Sequence, residues 1–341
     1  MLKYLVSLFI TLILVGCSGV GSQPTAPKSN GSLPKWVLNP TNSNAIFYYA
    51  VGEGSSTTEA KNNALKQVSA EISVTISSST TSKKYTTLTT YQKNIENITK
   101  ASTQKIQFTG VSVVDTVFVN GVFYSYIKVN RDVLFQSQLK QMNLEYNKVL
   151  SISNKFDTNG IFYIFKESQN LNTSIDKTMV SLPILKSINN KFNDNKYTVN
   201  LLSIKEKATQ LKAQAVVYLK TTNAFNEKIV LEKAISDFGI KIIKNISNVQ
   251  NKNNLMIITI DKSAKPYENR YKSQKMKNVS FADIRLKIIT YDKTGKTKLA
   301  QNIINVRNAS RDGYEAAVVK TKKLEKEIDK KGILNILLET I

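Results

Sequence analysis

Val117-Phe118-Val119-Asn120-Gly121-Val122-Phe123-Tyr124 is the stretch of this 341-residue chain that decides its first fold element. Its Asn-Gly pair stands between two runs rich in β-branched and aromatic residues. Both central positions of a tight hairpin turn need a positive φ, which Asn and Gly tolerate, so the pair predicts a β-hairpin. We therefore expect strands over 106–119 and 122–129. Phe123 and Tyr124 should point to opposite faces, which leaves one aromatic face to cover.

The segments around this hairpin complete a first domain. The run 46–51 has the composition of a buried strand. It is followed by an apolar stripe that predicts one buried helix face, at Ala60, Ala64, Leu65, Val68, Ile72 and Ile76. After a Ser/Thr-rich stretch, further helices are expected over 91–104 and 132–150. The prediction is an α+β fold, with a strand-helix-hairpin-helix domain over 34–150.

Three short motifs in this domain carry a family resemblance. They are Pro34-Lys35-Trp36-Val37, the turn Tyr49-Ala50-Val51-Gly52-Glu53-Gly54-Ser55-Ser56, and the Ala60/Ala64 helix with Ala70-Glu71-Ile72 after it. Together with the later hairpin they resemble the LPP-twenty family of bacterial outer-membrane lipoproteins, which includes the FlgP-like flagellar members. The resemblance covers about 34–150 and implies a lipoprotein of the outer membrane, with a flagellar setting as one option.

The N-terminus predicts export. Lys3 precedes an apolar run from Leu5 to Val15 that is too short to span a bilayer but fits a signal peptide over 1–16. The run ends in Leu14-Val15-Gly16-Cys17, which resembles the bacterial lipobox. The resemblance implies cleavage before Cys17 and acylation of its thiol and new amine. The alternatives are an ordinary signal peptide with an incidental Cys, or a buried apolar helix.

The residues after Cys17 bear on location. Lipoproteins retained in the inner membrane typically carry Asp after the lipidated Cys. Ser18 stands there instead, so the resemblance implies the outer membrane, on either its periplasmic or its surface face. Residues 17–33 are rich in Ser, Gly and Pro and are expected to be a flexible tether. The membrane is thus the expected partner of the N-terminus, through the lipid anchor.

The remaining chain divides into two expected parts. Residues 151–226 allow helix or strand in several apolar runs, and we expect a mostly helical connector that includes 199–211 and 213–219. Residues 227–341 predict an α+β domain of sheet and helices. Its helix covers 229–238, its strands cover 239–246, 255–261, 284–288 and 299–306, and one terminal helix contains the stripe from Tyr314 to Ile328. A basic loop is expected over 262–278.

Composition excludes several classes of function. The chain has no His, which rules out His-based triads and His metal ligands, and its single Cys cannot form an internal disulfide or a Cys-cluster metal site. We expect no cofactor and no metal. The net charge of +23 comes from 43 Lys and only 5 Arg, beside 34 Asn, a bias typical of an AT-rich genome. An envelope location and the scarcity of Arg argue against a nucleic-acid partner.

Some motifs imitate catalytic sites. Gly52-Glu53-Gly54 precedes a helix like a phosphate-binding turn, but Thr57 stands where a dinucleotide fingerprint needs its third Gly, so we interpret it as a tight turn. Gly295-Lys296-Thr297 imitates the end of a P-loop, but Thr290 stands at the earlier Gly position, which favours a hairpin turn. The carboxylate pairs Glu325/Asp329 and Asp312/Glu315 are expected on a solvated helix surface.

A Ser/Lys hydrolase is the enzyme alternative. Ser174-Ile175-Asp176-Lys177, Ser187-Ile188-Asn189 and Lys293-Thr294-Gly295 match in order the three short motifs of penicillin-binding proteins. The first two are too close together for that family's helical subdomain, and the third is expected in a turn. We therefore predict no catalytic residues.

The function expected from the sequence is structural or partner-binding. We predict a lipid-anchored outer-membrane protein that associates with itself or with other envelope proteins. Trp36 is expected to cover the edge of its own domain. The alternative is a basic binding module for an anionic envelope polymer, peptidoglycan or lipopolysaccharide. It rests on residues 151–341, whose 34 basic and 18 acidic residues give a net charge of +16.

Overall fold

The structure is a computed structural model that describes residues 31–80, 99, 102–103, 106–267 and 278–339. Helices and strands are both abundant, which confirms the predicted α+β class. The chain forms two compact units, divided between Ser69 and Ala70, between Thr109 and Gly110, and between Asn130 and Arg131. This division differs from the boundary expected at 150, because the helix after the hairpin is grouped with the second unit.

The first unit contains the predicted hairpin. Its three strands are β1 (Phe47–Gly54), β2 (Val111–Val119) and β3 (Val122–Asn130), in the antiparallel order β1-β3-β2. Asn120 and Gly121 have φ values of 52° and 82° and form the expected turn. Strand β2 begins at Val111 rather than 106, and β1 continues through the glycines to Gly54. The hairpin is confirmed, and its register places Phe123 and Tyr124 on opposite faces.

Two helices accompany this sheet, α1 (Lys35–Leu38) and α2 (Thr57–Thr80). The predicted stripe of α2 is buried at five positions, Ala60, Ala64, Val68, Ile72 and Ile76, whereas Leu65 is half-buried. On β1 the buried side is Tyr48, Ala50 and Gly52. Of the helix predicted over 91–104, only Thr99, Ser102 and Thr103 are described, and these are helical.

Three long helices begin the second unit: α3 (Arg131–Ser153), α4 (Phe156–Ile188) and α5 (Asp194–Ala213). Helix α3 confirms the predicted helix over 132–150. Helix α4 has non-helical backbone at Gly160 (φ 72°) and includes Pro183 without ending there. The Arg131 guanidinium caps the C-terminus of α4 by donating to the carbonyl oxygens of Ser187 (3.1 Å) and Ile188 (2.9 Å).

A five-stranded sheet forms the core of the second unit, in the order β5-β4-β6-β7-β8. Its strands are β4 (Val216–Thr221), β5 (Lys241–Ile242), β6 (Leu255–Pro266), β7 (Ser280–Tyr291) and β8 (Lys298–Ser310). Strand β4 is parallel to β5 and β6, and β6, β7 and β8 are antiparallel. Helix α6 (Phe225–Asp237) connects β4 to β5, and α7 (Tyr314–Val318), α8 (Lys322–Lys331) and α9 (Ile333–Leu338) follow β8.

The alternation of β7 separates two faces of this sheet. Ala282, Ile284, Leu286 and Ile288 are all at most 2% exposed on one face, which we name the inner face. Helix α9 lies against it, because the Thr290 hydroxyl on β7 donates to the carbonyl oxygen of Leu337 at 2.7 Å. Arg285 and Lys287 point to the other, outer face and are exposed. The half-buried strand predicted from this alternation is confirmed.

Four predicted elements are wrong in detail. The stretch 213–219 is not helical, because α5 ends at Ala213 and the β-branched run at Val216 enters the sheet. Of the strand expected over 239–246 only Lys241–Ile242 pairs, since a 3-10 turn begins at Ile246. The terminal helix breaks after Val318. Asn226 and Asn308 side chains donate to the carbonyl oxygens of Val319 (3.3 Å) and Lys320 (2.6 Å), in place of helical hydrogen bonds.

The fourth correction concerns the expected basic loop over 262–278. Lys262 to Pro266 belong to strand β6, where they pair with β7, so the connection is shorter than expected. Residues 268–277 lie outside the described residues. The consequence for function is that Lys262 and Lys265 have fixed positions on the sheet.

Candidate functional surfaces

The residues predicted for lipidation are not in the described part of the chain. Cys17 and the peptidase motif Leu14, Val15 and Gly16 precede residue 31, so acylation and cleavage stay predictions. Within the described ranges, no helix combines the length and the apolar character that a membrane span requires. Nor do three or more acidic or cysteine side chains gather there in a way that would bind a metal ion.

The glycines of Gly52-Glu53-Gly54 bring helix α2 against strand β1. A Cβ added at Gly52 would lie 2.1 Å from the Ala60 carbonyl oxygen and 2.2 Å from the Ala64 nitrogen. At Gly54 it would lie 2.6 Å from the Ala60 nitrogen. No side chain fits at either position, so the two glycines serve helix-strand packing. The interpretation as a tight turn leaves out this packing role, because the contact extends over about one turn of the helix, from Ala60 to Ala64.

The N-terminus of α2 already contains an anion, its own Glu59. This carboxylate accepts from the Ser55 hydroxyl (2.5 Å) and the Ser55 backbone N–H (2.8 Å), while the Glu59 N–H donates to the Ser56 hydroxyl (3.2 Å). These bonds from Ser55 hold the pKa of Glu59 below its ordinary value. The arrangement resembles a capping box, except that the carboxylate accepts from Ser55 rather than from the N-cap residue Ser56, and it occupies the place where a phosphate would bind.

The three sequences that imitate penicillin-binding motifs are not brought together. Ser174 and Ser187 lie on the same helix, about 20 Å apart at 1.5 Å per residue. The Ser174 hydroxyl is buried and donates to a Glu145 carboxylate oxygen at 2.9 Å, and Lys177 lies 3.8 Å from the other oxygen. Lys293 instead donates to the Asn253 side chain at 2.5 Å. Ser174 thus has a carboxylate partner that links helices α3 and α4.

A second Ser-Lys pair was missed by the sequence reasoning. Lys212 on α5 is half-buried and donates to the Ser168 hydroxyl on α4, and burial lowers the pKa of Lys212. Ser168 borders an open cleft of about 940 Å³ between α4 and α9. A nucleophilic serine also needs backbone N–H groups for an oxyanion, and around Ser168 these are used inside helix α4. We therefore interpret the Lys212–Ser168 hydrogen bond as a structural contact between helices α5 and α4.

The Gly295-Lys296-Thr297 stretch forms a hairpin turn, as predicted. Asp292 Oδ1 accepts from the backbone N–H groups of Thr294, Lys296 and Thr297, each at 3.2 Å. Partial burial alone would raise the pKa of Asp292, but the hydroxyl of Thr294 and these N–H groups outweigh it and lower the pKa. The turn's donors point at its own carboxylate, so the loop has no phosphate cradle.

The carboxylate pairs are exposed, as expected. Glu325 accepts from the Thr321 hydroxyl at 3.0 Å at the start of α8, and Asp312 N–H donates to the Ser310 hydroxyl at 3.2 Å before α7. Asp329 and Glu315 are likewise exposed. The four carboxylates lie before or at helix starts and on solvated helix surface, as the sequence predicts.

Trp36 anchors an aromatic cluster on the sheet face opposite α2. Its indole stacks on Tyr126 (ring centroids 5.7 Å apart) and its Nε1–H donates to an Asp115 carboxylate oxygen at 3.0 Å. Tyr49 continues the cluster 5.9 Å from Tyr126, and Phe47 lies 5.9 Å from Tyr49. The prediction that Trp36 covers the edge of its own domain is confirmed.

Apolar side chains next to this cluster are exposed. Leu38 ends the helix that carries Trp36 and is 62% exposed, and Ile46 precedes Phe47 and is 61% exposed. Val113 and Val114, just before Asp115 on edge strand β2, are each 47% exposed. We name Trp36, Leu38, Ile46 and Val114 the Trp36 surface; Val113 is not part of it, because it pairs with Ile127 on the sheet face that includes Ala50. Such a concentration of exposed apolar side chains in one small unit is typical of a contact site.

A buried ion pair in the second unit also has no counterpart among the predictions. The Glu227 side chain on α6 is 2% exposed and that of Lys262 on β6 is 12% exposed, with the Lys262 ammonium 3.1 Å and 3.3 Å from the two carboxylate oxygens. Asn223 accepts from the Lys262 backbone N–H at 3.0 Å and donates to its carbonyl oxygen at 2.9 Å. The pair fixes α6 on the inner face of the sheet.

A comparison with protein-family models gives a match within the first part of the chain. The model of the LPP20 lipoprotein family matches residues 34–130, which confirms the family resemblance up to the end of β3 rather than to 150. No curated protein matches the chain.

Three solved structures are similar to parts of the chain. A secreted protein of Helicobacter pylori has 17% identity and a TM-score of 0.39, covering 70% of this chain and 81% of its own. A minor lipoprotein of Acinetobacter baumannii has 11% identity and a TM-score of 0.27, over 37% and 98%. Lipoprotein B of Nitrosomonas europaea has 16% identity and a TM-score of 0.23, over 36% and 79%.

Proposed function

We propose that this protein, in which residues 34–130 form a domain of the LPP20 lipoprotein family, is an outer-membrane lipoprotein that works by binding a protein partner. The match of that segment to a lipoprotein family supports a lipoprotein of the cell envelope. The finer proposal is that it is anchored through Cys17, is not an enzyme, and contacts itself or another envelope protein through the Trp36 surface.

The observation that carries this proposal is the exposure of apolar side chains beside a rigid aromatic cluster. Stacking on Tyr126 and the hydrogen bond to Asp115 hold Trp36 in one orientation. A contact surface gains affinity when its anchors are ordered before binding, because less side-chain entropy is lost. The exposed apolar surface of Leu38 and Val114 would be removed from contact with water only in a complex. This supports binding rather than catalysis by the first unit.

The edge strand supports the same proposal. Strand β2 is the last strand of its sheet, and a register shift occurs between Val113 and Asp115. Bulges of this kind turn an edge strand away from uncontrolled pairing with another strand. Side chains rather than backbone groups are therefore the expected means of recognition at this edge.

The test is site-specific photocrosslinking in the membrane-anchored chain. A photoreactive residue at Leu38 or Val114 should give a defined crosslinked species, a dimer or a complex with one envelope protein. The same residue at Ile229, which is 62% exposed on α6 of the second unit, is the matched control and should give none. Equal crosslinking at Leu38, Val114 and Ile229, or none at all, would contradict the proposal.

A flagellar setting follows only from the family resemblance. If it applies, a strain without this protein should lose motility or show altered flagellar basal structures. Normal motility with intact basal structures would exclude the flagellar role, while the crosslinking result would still decide whether the Trp36 surface binds a partner.

A further inference from the structure

The outer face of the second unit's sheet presents an ordered group of cations. Along β7 the exposed Arg285 and Lys287 are two residues apart on the same face, about 7 Å in an extended strand. In the register, Arg285 is flanked by Ser263 of β6 and Asn305 of β8, both exposed. Lys265 and Arg307 lie in the next row. We name these six residues the basic face: Ser263, Lys265, Arg285, Lys287, Asn305 and Arg307.

Arg285 lies at the centre of this face. Among the residues that the structure describes, neither Arg285 nor Lys287 forms an ion pair. A guanidinium carries five N–H donors in a planar fork, which matches two oxygens of a carboxylate or phosphate. The Ser263 hydroxyl and the Asn305 amide on either side add neutral hydrogen-bonding groups. Arg285 can thus receive an oxyanion without first breaking an existing pair.

The neighbouring row is held in place by an internal pair. Arg307 donates to both carboxylate oxygens of Asp283, at 2.6 Å and 3.2 Å, and stacks 3.4 Å from the centroid of the Tyr267 ring. The bond from Arg307 keeps the pKa of Asp283 low, although slight burial opposes this, and the charges of Arg307 and Lys265 add to it. Asp283 therefore stays ionised and offsets one of the two cations beside it, so this row retains one positive charge.

The same residues line an open cleft. Its volume is about 590 Å³, and its lining includes the basic-face residues Ser263, Lys265, Arg285, Asn305 and Arg307 as well as Asp283. All of them project from three adjacent strands whose side-chain positions are set by the sheet register. The face is thus a rigid, shallow groove across the strands, open to an extended ligand.

The chemistry of the face distinguishes between possible ligands. Insertion of apolar side chains between lipids strengthens peripheral membrane binding, and none of the large exposed apolar side chains of the described residues lies on this face. The Ser263 hydroxyl and the Asn305 amide flank Arg285 instead. Sugar hydroxyls can both donate to and accept from such groups, while acidic groups on the sugars meet the cations.

We propose that the basic face binds an acidic polysaccharide of the envelope, with Arg285 receiving one carboxylate or phosphate group and Lys287, Lys265 and Arg307 attracting the neighbouring ones. This surface belongs to the second unit and does not depend on the protein contact proposed for the Trp36 surface. The location in the envelope explains why such polymers are within reach of the chain.

The test uses the full mature chain in detergent micelles and fluorescein-labelled polysaccharides. Polygalacturonate supplies carboxylates and phosphomannan supplies phosphates, so the two probes identify the oxyanion. Fluorescence anisotropy over a series of salt concentrations should show binding that weakens as salt rises. The double variant Arg285→Gln with Lys287→Gln should lose about tenfold or more in affinity, the scale of one charge-assisted hydrogen bond.

Two further variants distinguish binding at the basic face from attraction by the net charge of the chain. Lys326→Gln with Lys330→Gln on exposed α8 removes the same charge elsewhere in the same unit and should change affinity less than twofold. Asp283→Asn removes the negative charge from the face and should tighten binding, a gain that misfolding could not produce. Circular dichroism spectra should be the same for all variants, because each changed side chain lies on the surface.

Three results would overturn the proposal. One is that neither polysaccharide binds to the unaltered chain. Another is that the α8 variant loses as much affinity as the basic-face variant, which would mean that only net charge matters. The last is equal binding to poly-glutamate, or to vesicles of 30 mol% phosphatidylglycerol in phosphatidylcholine, which would assign the face to an acidic protein or to the membrane.

Discussion

Replacement of Gly52 by Ala tests the helix-strand contact of the first unit. The added Cβ would lie 2.1 Å from the Ala60 carbonyl oxygen and 2.2 Å from the Ala64 nitrogen, both backbone atoms that no rotamer change can move. A comfortable contact needs more than about 3 Å, so β1 and α2 must separate by roughly 1 Å. A gap of that size forfeits a quarter to a half of each dispersion contact across the interface.

The expected cost follows from these contacts. Overpacking of a core typically costs about 1–3 kcal/mol, and a clash with backbone on both sides belongs at or above the upper end. We therefore expect Gly52→Ala to lower the free energy of unfolding of the first unit by about 3 kcal/mol. Since the clash is with backbone, shortening the helix side chain by Ala64→Gly should not restore stability. Gly31→Ala is the control, because a Cβ at Gly31 meets nothing within 4 Å.

Trp36 makes this measurement possible. It is the only tryptophan in the chain and stacks on Tyr126 within the same unit, so its fluorescence reports the unfolding of that unit. Guanidinium unfolding followed by this signal should show a lower midpoint for Gly52→Ala and an unchanged one for Gly31→Ala. A Gly52→Ala protein within about 0.5 kcal/mol of the parent would refute the close packing of β1 against α2.

Three further predictions concern other parts of the chain. Cys17→Ala should abolish acyl labelling and release the protein from the membrane fraction; retention of both by the variant would contradict the lipobox. Lys262→Met should destabilise the second unit by about 3–5 kcal/mol in a circular dichroism melt, because it leaves the buried Glu227 carboxylate unpaired, whereas the double change with Glu227→Gln should cost less. The pKa of Glu145 lies below its ordinary value because of the hydrogen bond from Lys148, with burial opposing and Ser174 adding to it. The stability it contributes is therefore present above about pH 4.5 and is lost as the pH falls through the lowered pKa, so Glu145→Gln should reduce the loss of stability between pH 5 and pH 3.

Local signals in the sequence predicted the first unit well. The Asn120-Gly121 turn requires positive φ at two adjacent positions, a constraint that two residues alone can express. The stripe of α2 is equally local, since a helix repeats its buried face within four residues. The purpose of Gly52 could not be predicted in the same way. It depends on which helix packs against β1 and how closely, which is a long-range contact.

The errors in the second unit have the same physical origin. The sequence predicts a helix over 213–219 because a short apolar run has no decisive periodicity, and only pairing with β6 makes Val216–Thr221 a strand. The stripe from Tyr314 to Ile328 is regular enough for one helix. It breaks because Asn226 and Asn308, distant in sequence, take the carbonyl oxygens at Val319 and Lys320. Contacts distant in sequence decided both cases: strand pairing in the first and side-chain hydrogen bonds in the second.

The charge of residues 151–341 shows why composition alone could not identify a surface. The net charge of +16 is a sum over lysines and arginines in different situations. Lys262 is buried against Glu227, Lys207 pairs with Asp157 at 2.8 Å, and Arg307 is bound by Asp283. These cations count toward the net charge, but each one already pairs with a carboxylate of the same chain. Arg285 differs because the alternation of β7 turns it away from the helices, and the register gives it Ser263 and Asn305 rather than a carboxylate as neighbours. The sequence contained the alternation, but only the pairing of three strands shows which cation is free to bind a ligand.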